Sequence, residues 1–376
     1  MIYLDYAATT PMREEAIHVF SEASRNYYGN PSSLHDIGTK ANNLLESCRL
    51  EIAQSISGDP KGVFFTSGGS ESNILAIRSL LNGKNQKNGA HLITTSIEHS
   101  SIFNLFKQLE KEGYLVTYLP VNHFGHISLT DLENAISENT VLASIHHANS
   151  EIGTIQPIEE IGKLLKKHGI LFHSDCVQTY GKVPIDCTSS QIDSLSISSH
   201  KIYGPKGVGA CYISPKVKWN SYFENTTHEK GFRPGTVNVP GIASFITATQ
   251  LIHKEMKDDF KRYTQLREML VDGLSKFSRR IQIEGHSDSV LPHIIGLSIE
   301  GIEGQYTMLE CNRHGIAIST GSACSVGKQA PSKTMVAIGK SSPDAKQFIR
   351  LSLGKQTTKE DIYKTIDVLE IITSSY

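Results

Sequence analysis

Surplus charge is what this sequence most conspicuously lacks. Its 37 lysines and arginines stand against 38 aspartates and glutamates over 376 residues. Nucleic acid and anionic membrane are thereby excluded as main partners, because both are met with a basic excess. No apolar run approaches the roughly 20 residues of a membrane span. The start, Met1-Ile-Tyr-Leu-Asp-Tyr6, lacks the basic and apolar segments of a secretory signal, so a cytoplasmic protein is expected. There is no repeat and no low-complexity segment. No two of the six cysteines are spaced C-x-x-C, and a large cytoplasmic chain rarely carries a disulfide framework. Cys48, Cys176, Cys187, Cys211 and Cys311 sit in apolar or strand-like surroundings and read as small core residues. Cys324 lies among glycines and small polar residues, in Ser319-Thr-Gly-Ser-Ala-Cys-Ser-Val-Gly327. That context reads as an exposed loop, where a thiol is either inert or reactive.

Hydrophobic residues make up 39% of the chain, as in an ordinary globular protein. Its length allows two domains at about 150 residues each. Strand-like and helix-like segments alternate through the first two thirds. Strands are expected at 62–66, 90–94, 114–119, 141–147 and 170–173. Helices are expected at 70–81, with Ser70 as N-cap, and at 99–112, 129–137 and 158–168. Such alternation predicts an α/β fold with a mostly parallel sheet, and ligands at the carboxyl ends of its strands. From about Leu251 the pattern changes to a charged helix over 254–277, then strands and a closing helix, 358–373, capped by Thr358. The expected division is a large α/β domain over 15–250 and a small α+β domain made of 1–14 and 251–376.

The chemistry concentrates at strand ends. Ser198-Ser-His-Lys201 closes an apolar strand and precedes the glycine-rich turn Gly204-Pro-Lys-Gly-Val-Gly209. A lysine so placed is either a solvated surface charge or the Schiff-base lysine of a carbonyl cofactor, of which pyridoxal phosphate is the commonest. That cofactor also needs a carboxylate at its pyridine nitrogen, and Asp175 stands just past the 170–173 strand, with Gln178 behind it. Thr66-Ser-Gly-Gly-Ser-Glu-Ser-Asn73 joins a strand to a helix, where backbone N–H groups and the helix dipole suit a phosphate. His99 follows the next strand and could cover the flat face of a ring. Arg233-Pro-Gly-Thr-Val-Asn238 suits a phosphate or an interface. Arg350 lies inside an apolar strand and needs a carboxylate partner, either structural or bound.

Taken together these segments resemble the cysteine desulfurases of the pyridoxal-phosphate fold-type I superfamily, in the class V aminotransferase group. The resemblance also rests on Tyr3-Leu-Asp-Tyr-Ala-Ala-Thr-Thr-Pro11, Gly29-Asn-Pro-Ser-Ser-Leu-His35, Glu98-His99 and Arg350-Leu-Ser-Leu-Gly354, in the family's order over almost the whole chain. The Ser-Thr-Gly-Ser-Ala-Cys324 run resembles the subgroup with the longer cysteine loop. The resemblance implies a seven-stranded-type sheet and conversion of L-cysteine to L-alanine, with the sulfur left on Cys324 as a persulfide. It implies that Lys201 is the Schiff-base lysine, Asp175 the partner of the pyridine nitrogen, Gln178 the partner of the phenolic oxygen and His99 the stacking ring. Gly69, Ser70, Ser198 and His200 would hold the phosphate, and Asn149 and Ser150 would stand by the cofactor. Thr236 would reach the neighbouring subunit's phosphate, implying a homodimer. Arg350, helped by Asn30, would bind the substrate carboxylate. No resident metal is implied, although Cys324 could transiently ligate an iron–sulfur cluster. The sulfur would pass to an acceptor protein, of scaffold or relay type, in iron–sulfur assembly or another pathway. The same resemblance admits a selenocysteine lyase, a class V aminotransferase or a catalytically weak sulfur-transfer scaffold.

Two departures stand out. Asn149-Ser150-Glu151 replaces the family's usual Asn-Asn-Glu, so Ser150 takes the place of a cofactor-contacting asparagine. Asn225-Thr226-Thr227 replaces three glycines ahead of His228-Glu229. β-Branched threonines resist backbone conformations that glycine accepts, so a different loop path is expected there.

Overall fold

A computed structural model describes residues 1–84, 89–275, 280–321 and 331–375. The chain opens with a short strand, β1 (Ile2–Tyr3), and two helices that the sequence patterns left unassigned, α1 (Glu14–Asn26) and α2 (Asp36–Ser55). The expected alternation follows. Strands β2 (Val63–Thr66), β3 (His91–Thr95), β4 (Leu115–Leu119), β5 (Thr140–Ser144), β6 (Leu171–Asp175), β7 (Ser194–Ser198) and β8 (Gly209–Ile213) form one seven-stranded sheet in the order β2-β8-β7-β6-β5-β3-β4. Only β8 runs against its neighbours. Between the strands lie α3 (Gly69–Lys84), α4 (Ser100–Lys111), α5 (Leu129–Ala135) and α6 (Ile158–Lys167).

Both faces of the sheet are covered, which is why its central strands read as unbroken apolar or small runs. The period of two sorts them. Val63, Phe65, Ile93, Ala143, Phe172 and Leu195 face one core. Phe64, Leu92, Leu142, Leu171 and Cys211 face the other, against α3 and α4. Helix α6 shows how such a helix is written: acidic Glu159 and Glu160 in the first turn, Lys166 and Lys167 in the last, and Ile158, Ile161 and Leu165 buried. The charges complement the helix dipole while the apolar stripe packs on the sheet.

Helix α7 (Val239–Ser275) runs unbroken across the expected domain boundary at 250. Its first half packs into the sheet core through Val239, Ile242, Phe245 and Ile252. Its second half joins a separate core through Tyr263, Leu266, Leu270 and Leu274. That second core is built on β9 (Ile281–Glu284), β10 (Ile294–Ile299) and β12 (Phe348–Ser352), an antiparallel sheet in the order β12-β10-β9. Helices α8 (Gly304–Arg313) and α11 (Lys359–Ser374) cover it, the latter opened by a Thr358–Asp361 capping box. Two short helices, α9 (Lys333–Ala337) and α10 (Ser342–Ala345), precede β12. Strand β1 pairs with β11 (Ile316–Ala317), and Leu4 is buried in the second core. The N-terminal segment then crosses to the large sheet, where Thr10 bonds the His200 carbonyl.

Candidate active site

The carboxyl ends of β3, β5, β6 and β7 and the start of α3 surround a cavity of about 220 Å³. Its walls bring together Gly69, Ser70, His99, Ser150, Asp175, Gln178, Ser198, His200, Lys201 and Arg350. These ten sequence-selected residues span 282 positions of chain, from Gly69 to Arg350.

Lys201 ends a short 3₁₀ turn, Ser199–Lys201, directly after β7. Its Nζ donates to the carbonyls of Ala7 (2.6 Å) and Ala8 (2.8 Å) on the crossing N-terminal segment. Two residues on, Tyr203 adopts φ 68°, a conformation costly for a bulky side chain. It is held there on both sides: its N–H donates to Thr10 Oγ1 at 2.7 Å, and its carbonyl accepts from Arg13 N at 3.0 Å.

Asp175 ends β6 and is buried. Its Oδ1 accepts from Val177 N (2.9 Å) and its Oδ2 from Asn73 Nδ2 (2.8 Å). Gln178 lies three residues further, in the turn after β6, and donates to the Ala7 carbonyl at 3.1 Å. His99 caps α4: its Nδ1 accepts from Ser101 N at 3.2 Å and lies 2.8 Å from Ser101 Oγ. His200, whose Nδ1 lies 3.1 Å from Thr9 Oγ1, is neutral at ordinary pH. Burial, then the charges of Lys201 and Lys206, bring its pKa down to about 4.

The phosphate end is built by close approach. Gly68 and Gly209 stack backbone on backbone; a Cβ on Gly209 would lie 2.6 Å from Gly68 Cα. That contact lays the turn against β8 and sets the start of α3 at the sheet edge. Helix α3 begins at Gly69, and Ser72 N bonds the Gly68 carbonyl. Ser70 is therefore in the first turn rather than the expected N-cap, and its side chain is exposed toward the cavity. Among the described residues, the buried Ser198 hydroxyl beside this turn has no hydrogen-bond partner. A hydroxyl so placed, next to helix-start N–H groups, fits a phosphate. With the Asp175 carboxylate and the Lys201 amine in the same cavity, the residues present fit pyridoxal phosphate.

Arg350 on β12 is 2% exposed. Its Nη2 donates to Asp5 Oδ1 (2.7 Å) and its Nη1 to the Ser150 carbonyl (2.9 Å). The structural partner anticipated for it is thus Asp5, yet the guanidinium still lines the cavity.

Three selected residues lie elsewhere. Asn149 does not line the cavity: its Oδ1 accepts from Glu151 N and Ile152 N, and its Nδ2 donates to the Ile97 carbonyl. It shapes the turn that carries Ser150. Asn30 is exposed, its Oδ1 taken by Ser32 N. Thr236 is exposed. Cys324 lies outside the described residues. The other five cysteines are buried free thiols, as expected. Burial pushes those of Cys48, Cys176 and Cys311 up to about 12.

In the 225–230 turn the threonines avoid the left-handed region, as β-branched residues should. Left-handed residues are Asn225 (φ 58°), Glu229 (φ 46°) and Lys230 (φ 55°), while Thr227 is right-handed. Asparagine tolerates the left-handed region better than most residues. Glu229 is held by the buried Arg49 guanidinium (2.9 and 3.1 Å) and by Phe65 N (2.7 Å).

Some site residues were not selected from sequence. Asn73 was read only as the end of the phosphate turn. His146 also lines the cavity, with its Nδ1 2.9 Å from Glu98 Oε1. Burial alone would keep this imidazole neutral, but the charge and hydrogen bond of Glu98 raise its pKa above the usual value, helped by Asp175. Nothing local in the sequence marks either side chain as buried and inward.

Residues 2–364 match the family described as aminotransferase class-V. The chain is 50% identical over 374 residues to the "Putative cysteine desulfurase NifS" of Bacillus subtilis (strain 168), covering 99% of this chain and 94% of that one. It is 40% identical over 371 residues to the "Cysteine desulfurase IscS" of Dictyoglomus turgidum (strain DSM 6724 / Z-1310), covering 99% and 94%. A solved "NIFS-LIKE PROTEIN" superposes over 100% of both chains with a TM-score of 0.92 and 33% identity.

Proposed function

The chain belongs to the aminotransferase class-V family, and from that premise we propose that it works as a pyridoxal-phosphate-dependent cysteine desulfurase, converting L-cysteine to L-alanine. The observation that carries the reading is the single cavity in which Lys201, Asp175, His99 and Arg350 meet the start of α3.

Pyridoxal phosphate, when bound, supplies an electron sink for the negative charge that develops at the substrate's α-carbon. Lys201 would be its covalent anchor and would supply the amine that takes the α-proton. Asp175 holds the pyridine nitrogen protonated, Gln178 bonds the phenolic oxygen and His99 covers the ring. Gly69, Ser70, Ser198 and His200 hold the phosphate. Ser150 presents a short hydroxyl to the same cavity. Arg350 binds the substrate carboxylate with the charge it also shares with Asp5. Cys324, as thiolate, attacks the substrate sulfur: an S–S bond forms, the C–S bond breaks, and its electron pair stays on carbon, which is then protonated to give alanine. The persulfide sulfur passes from Cys324 to an acceptor protein, with iron–sulfur assembly a fitting destination.

We also propose a homodimer. Exposed Thr236 then reaches the phosphate of the partner's site, and exposed Tyr28, Leu34, Tyr222 and Phe223 are covered by a second copy. Among the described residues no helix is long and apolar enough to cross a membrane, and a cytoplasmic location suits a thiol-dependent reaction.

The test is alanine release from L-cysteine by the cofactor-loaded protein with a reductant present. Multiple turnovers, abolished in Cys324→Ala, are expected. Undiminished alanine release and persulfide formation in that variant would remove Cys324 from the mechanism. No alanine from a protein with a normal cofactor absorption band would overturn the desulfurase reading.

A further inference from the structure

Behind the cavity wall, the hydrogen bonds around Asn73 allow one arrangement of protons. Asn73 is 1% exposed and sits in the first turns of α3. Its Nδ2 lies 2.8 Å from Asp175 Oδ2 and 3.0 Å from Ser101 Oγ. Its Oδ1 lies 3.2 Å from His173 Nε2. A carboxylate only accepts, so the Asn73 amide must present its nitrogen to Asp175. Its two N–H groups are then spent on Asp175 and Ser101, and its carbonyl must accept from His173.

His173 supplies that proton. It is fully buried, and desolvation takes its pKa down to about 3, so it is neutral with a single ring N–H. With that N–H on Nε2, its Nδ1 accepts from Ser194 Oγ at 3.1 Å. On the other branch, Ser101 Oγ accepts from Asn73, so its own proton goes to His99 Nδ1 at 2.8 Å. His99 Nδ1 also accepts the Ser101 N–H. Its ring proton is therefore on Nε2.

We propose that Asn73 is a positioning residue that fixes two cofactor-facing groups at once: it orients the Asp175 carboxylate, and through Ser101 it sets the tautomer of His99, its own amide being oriented by neutral His173. The proposal rests on the pyridoxal-phosphate reading of the cavity. Three elements share the network: α3 through Asn73, β6 through His173 and Asp175, and the start of α4 through Ser101 and His99. The charged or titratable groups facing it are Asp175, His173 and His99, with the Glu98–His146 pair beyond.

The test is cofactor binding to apo protein, read from recovery of the visible absorption band as pyridoxal phosphate is titrated, at several pH values. Asn73→Ala removes both donated bonds. Hydrogen bonds to charged groups are worth enough that affinity should fall about 10- to 100-fold. Asn73→Asp is the discriminating variant, because it keeps the shape and replaces the donor with an acceptor beside Asp175. It should bind more weakly than Asn73→Ala at pH 8. Its affinity should recover as the pH falls, since the protonated carboxyl regains one O–H donor; wild type should not behave so. Thermal melts of the apo proteins establish that each variant is folded. A packing role predicts the opposite order, with the isosteric aspartate binding better than alanine at every pH, and that result would overturn the proposal. Should both variants fail to fold, His173→Gln provides the measurement. Its amide can still donate to Asn73 Oδ1, so near-normal affinity is expected, and a loss as large as 10-fold would count against an orienting role. Failure of the wild type itself to take up pyridoxal phosphate would sink the cofactor reading, an outcome distinct from any of these.

Discussion

Replacing Glu229 with glutamine should destabilise this protein far more than its position in a surface-crossing turn suggests. Glu229 is buried to 1% side-chain exposure, and so is its partner Arg49, at 3%. The carboxylate takes two guanidinium N–H groups and the Phe65 N–H of β2. Glutamine has the same shape but would turn an NH₂ group toward the arginine. The guanidinium would keep the Val63 carbonyl (2.7 Å) and Glu46, the latter 48% exposed on its side chain. Breaking a buried pair from one side costs about 3–5 kcal/mol. The surviving contacts place this case at the low end, about 3 kcal/mol. Unfolding entropy is about 2.1 cal/mol/K per residue, or about 0.8 kcal/mol/K for a chain of this length, so Tm should fall by about 4 °C. Arginine keeps its charge over the whole working range, so the loss should be equal at pH 6 and pH 9. Urea and thermal unfolding of the apo protein measure it, and Glu46→Gln, at the exposed end of the same guanidinium, is the control at under about 1 kcal/mol. Equal losses in the two variants, or less than about 1 kcal/mol for Glu229→Gln, would refute the reasoning.

Two other predictions concern the cavity. Arg350→Lys keeps a charge but cannot hold Asp5 and the Ser150 carbonyl together. KM for cysteine should rise roughly 10- to 100-fold with cofactor binding intact, and an unchanged KM would show that the substrate carboxylate binds elsewhere. His146 has a raised pKa in the folded state, so the Glu98–His146 pair stabilises fully below about pH 6.5 and loses that contribution as pH rises through the folded value. The stability difference between wild type and Glu98→Gln, from urea unfolding, should therefore shrink between pH 6 and pH 9; a difference that grows would mean His146 is neutral.

The large sheet was legible because strands covered on both faces leave unbroken apolar runs, and because Gly113 and Gly169 end the helices before them. The Lys201–Asp175 pairing was legible for the related reason that strand ends collect ligands. Helices α1 and α2 were not, since their apolar positions are sparse and polar residues interrupt them. Helix α7 looked like the start of a second domain because its composition changes near residue 251, although its hydrogen bonding does not. Ser70 resembled a cap because serine favours that position, but Gly68 and Gly69 bring the helix start forward. Asn149, expected by resemblance beside the cofactor, has its side chain bonded to Glu151 N, Ile152 N and the Ile97 carbonyl, partners that no local pattern announces. Asn73 and His146 acquire their meaning only from burial beside Asp175 and Glu98, which no local pattern encodes. The position of Cys324 is outside the described residues, and its assignment rests on the motif around it.

The crossing of residues 4–10 has a consequence for the order in which the protein can mature. These residues precede every strand of the large sheet, yet their partners lie in β12, after all of them. Ser352 N bonds the Leu4 carbonyl, Ser352 Oγ accepts from Ala7 N, and Arg350 binds Asp5. Ala7 and Ala8 in turn hold Lys201. A nascent chain stopped before β12 would carry Lys201 without the contacts that pin the segment bonded to it. The native surroundings of Lys201 are thereby tied to the folding of β12, a strand about 150 residues further along the chain, rather than to the large sheet alone.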